Sequence, residues 1–340
     1  MKFKKFFSYS FVSRSSVALT LVFTALVLGG VYAVNLYGIT SNKGGDLKED
    51  VVATVEKGPK EGIEEGNQKL HQAIFNLQNI PNFMAKMNLV SRAYQENMVG
   101  TGFYVQDNSR QTLRYHYNLS LQVSQRKRYD FRQVNEGHFL WTQVVAKEKL
   151  VSKSNLTKIQ RRLMETGRTQ ETALWYRNTL GGLPRLLFSL EQHFDFVEIK
   201  NTPSNDVDKD GTTLLPHGGS PEPVFLEGHW KVDKIGYGQP EAAKKGAVNL
   251  ALLPPYLTSK VRVTLVPQES GDLFPVKVEF FQKPDTPGGE LMASIELYDI
   301  QYSVPVGEEY FQFHHSDGDI LVQELTDEVL KNWGVDPQGF

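Results

Sequence analysis

Three groups of chemistry-bearing side chains stand out along the 340-residue chain. Asp206-x-Asp208-x-Asp210-Gly211 sets carboxylates at alternate positions before a turn glycine, as the opening of a calcium loop does. The twelfth position, where a bidentate Glu would close the shell, is His217, and no helical pattern flanks the loop. It reads as a solvated acidic loop. His314-His315 with Asp317 and Asp319 offers imidazole and carboxylate ligands. Consecutive residues on a strand face opposite ways, however, and Ser-Asp-Gly-Asp is ordinary turn chemistry. Gly100-x-Gly102 leads into Phe103-Tyr104-Val105, a strand rather than a phosphate-cradling helix, so it reads as a bulged or close-packed strand. With no G-x-S-x-G elbow, no H-E-x-x-H, no Walker loop and no complete G-x-G-x-x-G, the sequence assigns no catalytic residue, cofactor or metal. The chain reads as a non-enzyme.

Lys147, Lys149, Lys153, Lys158, Arg161, Arg162 and Arg168 form a basic stretch, either a solvated face or a docking patch for anionic headgroups or an acidic partner. A whole-chain charge of −2 gives no footprint for a nucleic acid. The absence of cysteine removes disulfides, thiolate zinc sites and acylated-cysteine anchors together.

Apolar side chains carry the stronger signal. Leu113, Tyr115, Tyr117, Leu119, Leu121 and Val123 alternate strictly with polar residues, which describes a strand with one apolar and one wet face. Tyr129 and Phe131 repeat the pattern on the following strand, and Phe280, Phe311 and Phe313 do so later. These eight residues of strands 113–124 and 128–134 are the candidate lining of an elongated apolar cavity, though a filled core has the same pattern.

The elements that would position them fall into three blocks. A helix over 61–78 is followed by strands at 83–94, 98–106, 113–124, 128–134 and 138–146. Helices at 156–164, 172–178 and 183–194 come next, the first capped by Ser154 or Asn155 and the last carrying Pro184 in its first turn. Strands return at 194–200, 223–232, 260–267, 275–282, 291–302 and 309–314, before a short helix over 327–333. Strands, then helices, then strands argue against a parallel α/β fold. The fold class expected is α+β: a curved, incomplete antiparallel barrel whose concave face is covered by helices.

The chain start carries an address. Lys2, Lys4, Lys5 and Arg14 precede the uncharged stretch 17–34, with Val31-Tyr32-Ala33 as a cleavage site. Apolar character continues to Ile39, so residues 1–39 read as a signal peptide or an N-terminal membrane anchor, and the remainder as exported. Residues 40–60 read as a linker and 61–340 as one domain.

The order of segments resembles the LolA-like superfamily of bacterial envelope proteins, over roughly residues 62–333. The residues that carry it are Ala85-Lys86-Met87, Val99-Gly100-Thr101-Gly102-Phe103-Tyr104, the alternating strand 113–123 and Gly137-His138-Phe139-Leu140-Trp141-Thr142. Gly182-Leu183-Pro184-Arg185-Leu186-Leu187, Val224-Phe225-Leu226-Glu227-Gly228-His229-Trp230, Leu273-Phe274-Pro275-Val276-Lys277-Val278-Glu279 and Phe311-Gln312-Phe313 complete it. The resemblance implies a half-barrel with a helical lid over a cavity for acyl chains, on the periplasmic side of a bacterial membrane. The expected partners are lipid or lipoprotein acyl chains, an envelope protein, and the membrane through the N-terminal segment. A missing lipobox cysteine sets the chain apart from the acceptor lipoproteins, a membrane anchor does not suit a shuttling carrier, and the 201–222 insert has no counterpart. The alternative is an envelope scaffold with a packed core and no small ligand.

Overall fold

The computed structural model describes residues 62–92, 97–110, 112–124, 127–146, 148–199, 222–231, 258–282, 290–314 and 321–338. The N-terminal segment and linker, the acidic loop at 206–211, and His315, Asp317 and Asp319 lie outside them. Among the described residues no helix is long and apolar enough to cross a membrane.

Helix α1 (Ile63–Asn79) places Leu70, Ala73, Ile74 and Leu77 on one face by their three- and four-residue spacing, and all are buried. The chain then makes a meander of β1 (Asn82–Ser91), β2 (Met98–Asp107), β3 (Arg114–Ser124), β4 (Lys127–Asn135), β5 (Phe139–Val145) and β6 (Lys149–Asn155). Three helices follow: α2 (Leu156–Glu165), α3 (Gln170–Asn178) and α4 (Gly182–His193). Asn155 is the cap of α2, its Oδ1 accepting from Lys158 N at 2.8 Å, and Thr169 caps α3. A second meander, β7 (Phe194–Glu198), β8 (Val224–Trp230), β9 (Lys260–Pro267), β10 (Leu273–Gln282) and β11 (Glu290–Tyr302), returns to pair β11 with β1. Strand β12 (Val322–Glu324) adds parallel to β6, and α5 (Thr326–Asn332) ends the fold.

Among the described residues all twelve strands form one sheet in the order β12-β6-β5-β4-β3-β2-β1-β11-β10-β9-β8-β7, antiparallel except at β12 and not closed on itself. This is the α+β half-barrel that the strand–helix–strand order predicts. Register shifts at Met84/Lys86, Gln122/Ser124, Pro275/Lys277 and Phe280/Phe281 supply bends. The β7 edge is guarded by α1, where Asn67 Oδ1 accepts from Phe196 N at 2.8 Å. Side chains from α1, α2, α4 and the apolar phase of the strands form one continuous core.

Two expectations need correction. The 309–314 segment is not a strand: Glu308–Phe311 is a 3-10 turn, continued by Gln312–His314 without strand pairing. Nor is the second face of 113–124 simply wet. Arg114 and His116 are buried because this C-terminal segment straps across the convex side. Arg114 pairs with Asp107, and with Glu308 at 2.6 Å, while its guanidinium lies 4.4 Å from the Phe311 ring centre. Phe313 stacks on Trp141 at 4.9 Å. Phe311 and Phe313 therefore belong to the convex side, not to the concave aromatic row.

Candidate functional site

The concave sheet face is the candidate site. Strand alternation delivers Tyr115, Tyr117, Leu119 and Leu121 from β3 and Phe131 from β4 to the continuous core, with Leu113 just ahead of β3. All six are buried. Val123 and Tyr129 are half-buried and pack against the same core, so the structure brings all eight sequence-derived residues to one face. Near them the sheet carries a row Phe280–Ala293–Ser91–Met98 in direct register. Phe280 and Val144 are half-buried there too, so this end of the apolar face is the less covered one.

At the other end the rings interlock. Phe83 meets Phe274 at 5.2 Å edge-on and Tyr104 at 5.4 Å, Tyr104 stacks with Tyr115 at 5.9 Å, and Tyr117 meets Phe131 at 5.3 Å. These spacings are those of attractive aromatic pairs. Close packing also explains Gly102 of β2, where an added Cβ would lie 2.0 Å from the Asn118 carbonyl oxygen. The glycine pair thus proves a close-packed strand feature, as its sequence context suggests.

Sequence reasoning missed the polar groups within this face. Gln133 continues the phase of Tyr129 and Phe131 on β4 and is fully buried. Its Oε1 accepts from Tyr115 Oη at 3.1 Å and from Gly182 N at 2.8 Å, while Nε2 donates to Thr142 Oγ1 at 3.0 Å. Tyr104 Oη donates to Gln106 Oε1 at 3.1 Å, and Gln106 in turn donates to the Leu77 carbonyl of α1. Burial pushes the Tyr104, Tyr115 and Tyr117 phenols well above their usual range, against the pull of the Leu183 backbone on Tyr104. They remain neutral hydroxyls at any physiological pH. The first amides of α4, which have no partner within their own helix, are therefore satisfied by side chains of the sheet. Gly182 takes φ +64°, and an added Cβ would lie 3.1 Å from the Tyr115 ring. Only glycine joins α3 to α4 in this way without strain. A polar residue in the apolar phase of a strand was the signal that would have found Gln133.

The other sequence candidates are dispersed. His314 is exposed, and among the described residues no group of three His, Asp or Glu could hold a metal. Much of the basic stretch is internally engaged. Lys153 lies 3.8 Å from the Phe139 ring centre, Lys158 pairs with Asp327 at 2.8 Å, Arg162 donates to the Asp336 carbonyl at 2.6 Å, and Arg168 stacks on Tyr176 at 4.3 Å. Arg161 is exposed and reaches Glu165 at 3.7 Å. Lys147 lies outside the described residues.

No family model and no curated protein matches the chain. Among solved structures it is similar to the MucA/MucB complex of Pseudomonas aeruginosa, at 10% identity and a TM-score of 0.34, covering 74% of this chain and 61% of that one. It is also similar to LprF from Mycobacterium bovis, at 10% identity and a TM-score of 0.32, covering 72% and 95%. A third is a domain described as an outer membrane lipoprotein-sorting protein from Vibrio parahaemolyticus, at 10% identity and a TM-score of 0.27, covering 73% and 97%. The fold itself, an open and mostly antiparallel sheet with helices against one face, is read from this chain's own strand order.

Proposed function

We propose that this is an exported envelope protein that binds lipid or lipoprotein acyl chains between the concave sheet face and its helices, in transport or sensing. Residues 1–39 would export or anchor it, and 40–60 would tether a single domain over 61–340. Leu113, Tyr115, Tyr117, Leu119, Leu121, Val123, Tyr129 and Phe131 would line the acyl path. One observation supports this most: the buried polar groups of Tyr104, Gln106, Tyr115 and Gln133 are turned to one another, to helix backbone or to Thr142. What remains facing inward is apolar, with its less covered end at Val123, Tyr129 and Phe280. A chain of methylenes entering there gains roughly 0.8 kcal/mol for each one buried. Movement of α4 about Gly181-Gly182 would make the room.

A specific observation favours the rival scaffold reading. Phe83, Tyr104, Tyr115, Phe131 and Phe274 are at most 2% exposed, as in a filled core. Native mass spectrometry of the full chain, recovered from a bacterial host in mild detergent, separates the two. A discrete added mass that extracts as a fatty acid, phospholipid or acylated peptide supports the binding role. A bare chain mass, unchanged after incubation with those lipids, supports the scaffold.

A further inference from the structure

The convex-side strap, residues 308–314, has no strand pairing of its own and is held by side chains of the sheet beneath it. At its near end Arg114 pairs with Glu308 at 2.6 Å. Towards its far end Glu136 Oε1 accepts from Phe313 N at 2.8 Å, and Trp141 stacks on the Phe313 ring. Arg132 grips the same end twice. Its Nη2 donates to the Gln312 carbonyl at 3.4 Å, and its guanidinium lies 5.5 Å from the Phe313 ring centre.

Arg132 is aimed by a third bond, from its Nε to Nε2 of His116 at 3.1 Å. The imidazole is 6% exposed, with the Phe103 ring of β2 edge-on at 4.9 Å and Tyr310 of the strap at 6.4 Å. Its Nδ1 is buried without a hydrogen-bond partner, although the Tyr310 backbone lies near enough to favour a proton on the ring. The ions on this side of the surrounding elements are mostly engaged elsewhere. Arg114 of β3 takes Asp107 of β2 and Glu308 of the strap, and Arg128 and Asp130 of β4 pair with each other. Glu309 and His314 of the strap are exposed. Among the described residues Arg132 is the ion bonded to the ring.

We propose that residues 310–314 form an acid-released strap whose trigger is His116. When the ring takes up a second proton, both its nitrogens become donors, and Nε2 then opposes Arg132 Nε. A guanidinium does not give up its proton, so the two cations must part. Phe103, His116 and Arg132 stand on strands tied by ladder bonds, whereas the strap has none, so the strap is the wall that yields. Arg132 turns away from Gln312 and Phe313, and the far end lifts. The near end stays, because hydrogen bonding to Arg114 holds the Glu308 carboxyl below its usual range. Release wets His116 and frees the ring face of Trp141. This device stands whether or not the concave face holds acyl chains.

The test is amide hydrogen exchange of the full chain in mild detergent at pH 7 and pH 4.5, with intrinsic rates divided out. It is read at Phe313 in the strap and at Leu119 in β3. The covered ring titrates at about 4 and an open one at its ordinary 6.5, so protection of Phe313 should fall roughly fifty-fold. Because the strap opens locally, Phe313 should also stay about a hundredfold or more less protected than Leu119 at both pH values. Equal protection at the two amides would mean global unfolding alone and would overturn the proposal. His116→Gln keeps an acceptor for Arg132 and does not titrate, so the fall at Phe313 should shrink below about threefold. A full fall in that variant would assign the effect to the carboxylates of Glu136 or Glu308 and overturn the histidine trigger. Glu136→Gln, which keeps the acceptor for Phe313 N, should show the full fall. It decides the matter if His116→Gln fails to fold, since loss of the fall there would also overturn the trigger.

Discussion

At His116 on β3, Nε2 accepts a hydrogen bond from Arg132 Nε at 3.1 Å, which requires a neutral ring with its proton on Nδ1. Burial, reinforced by the Arg132 charge and opposed by the Tyr310 backbone, lowers its pKa from 6.5 to about 4. The unfolded chain therefore takes up a proton that the folded chain refuses. The resulting stability is complete above pH 6.5 and is lost as pH falls towards 4. At about 1.4 kcal/mol per pKa unit the loss is on the order of 3 kcal/mol. Urea unfolding of wild type at pH 7 and pH 4.5 should show the drop, and His116→Gln should flatten it over that window. An unchanged pH slope in the variant would contradict this account of the strap. Glu227 acts lower on the scale. Its own burial raises its pKa, but hydrogen bonds and charges from His229 and Lys260 outweigh that and hold it at about 2. Its contribution is present above pH 4.5 and is lost only below it. Tyr117 divides the two functional readings at single-residue resolution. Tyr117→Arg, like Leu119→Arg, leaves a folded chain that holds no lipid if the face opens to solvent and ligand. In a closed core it strands an unpaired charge and costs roughly 3–5 kcal/mol, which thermal unfolding detects.

Helix α4 hangs on the sheet through the Gln133 bond to Gly182 N. Gln133→Leu leaves that buried amide unmet, a loss of about 1–3 kcal/mol. Hydrogen exchange at Gly182 and Leu183 should quicken, while the amides of β3, held by strand pairing, should not. Exchange unchanged at α4 would show that the helix is held by packing alone. At the start of α2, Asn155→Ala should cost about 1 kcal/mol by removing the cap, read as a lower urea midpoint. These contacts explain what could be read from sequence. The strands of both meanders were legible because their apolar residues recur at a period of two, and Asn155 because cap residues are few. Strand β6 was not: Lys149–Asn155 holds only Leu150 and Val151 as apolar members, and its lysines read as a surface charge run. The 309–314 segment misled for the opposite reason. Phe311 and Phe313 alternate like a strand but pack against Arg114 and Trp141 across the convex side. Gln133 left a trace as a polar residue in the apolar phase of β4, but its partners Tyr115, Thr142 and Gly182 come from other elements, which no local spacing reports.

Over the described residues, the β1–β11 pairing joins two meanders into one sheet around a continuous main core. That core is tight at the Tyr104–Tyr115 end and less covered at the Val123–Phe280 end, so an acyl chain would enter from the latter and press α4 away from the former. The most direct test feeds the host a photoreactive, alkyne-bearing fatty acid, irradiates the cells and maps adducts on the full chain. The account predicts adducts on residues 113–131 in wild type, with Val123 and Tyr129 among the strongest, and their loss in Tyr117→Arg. Adducts confined to residues 17–39, with residues 113–131 clean, would contradict it.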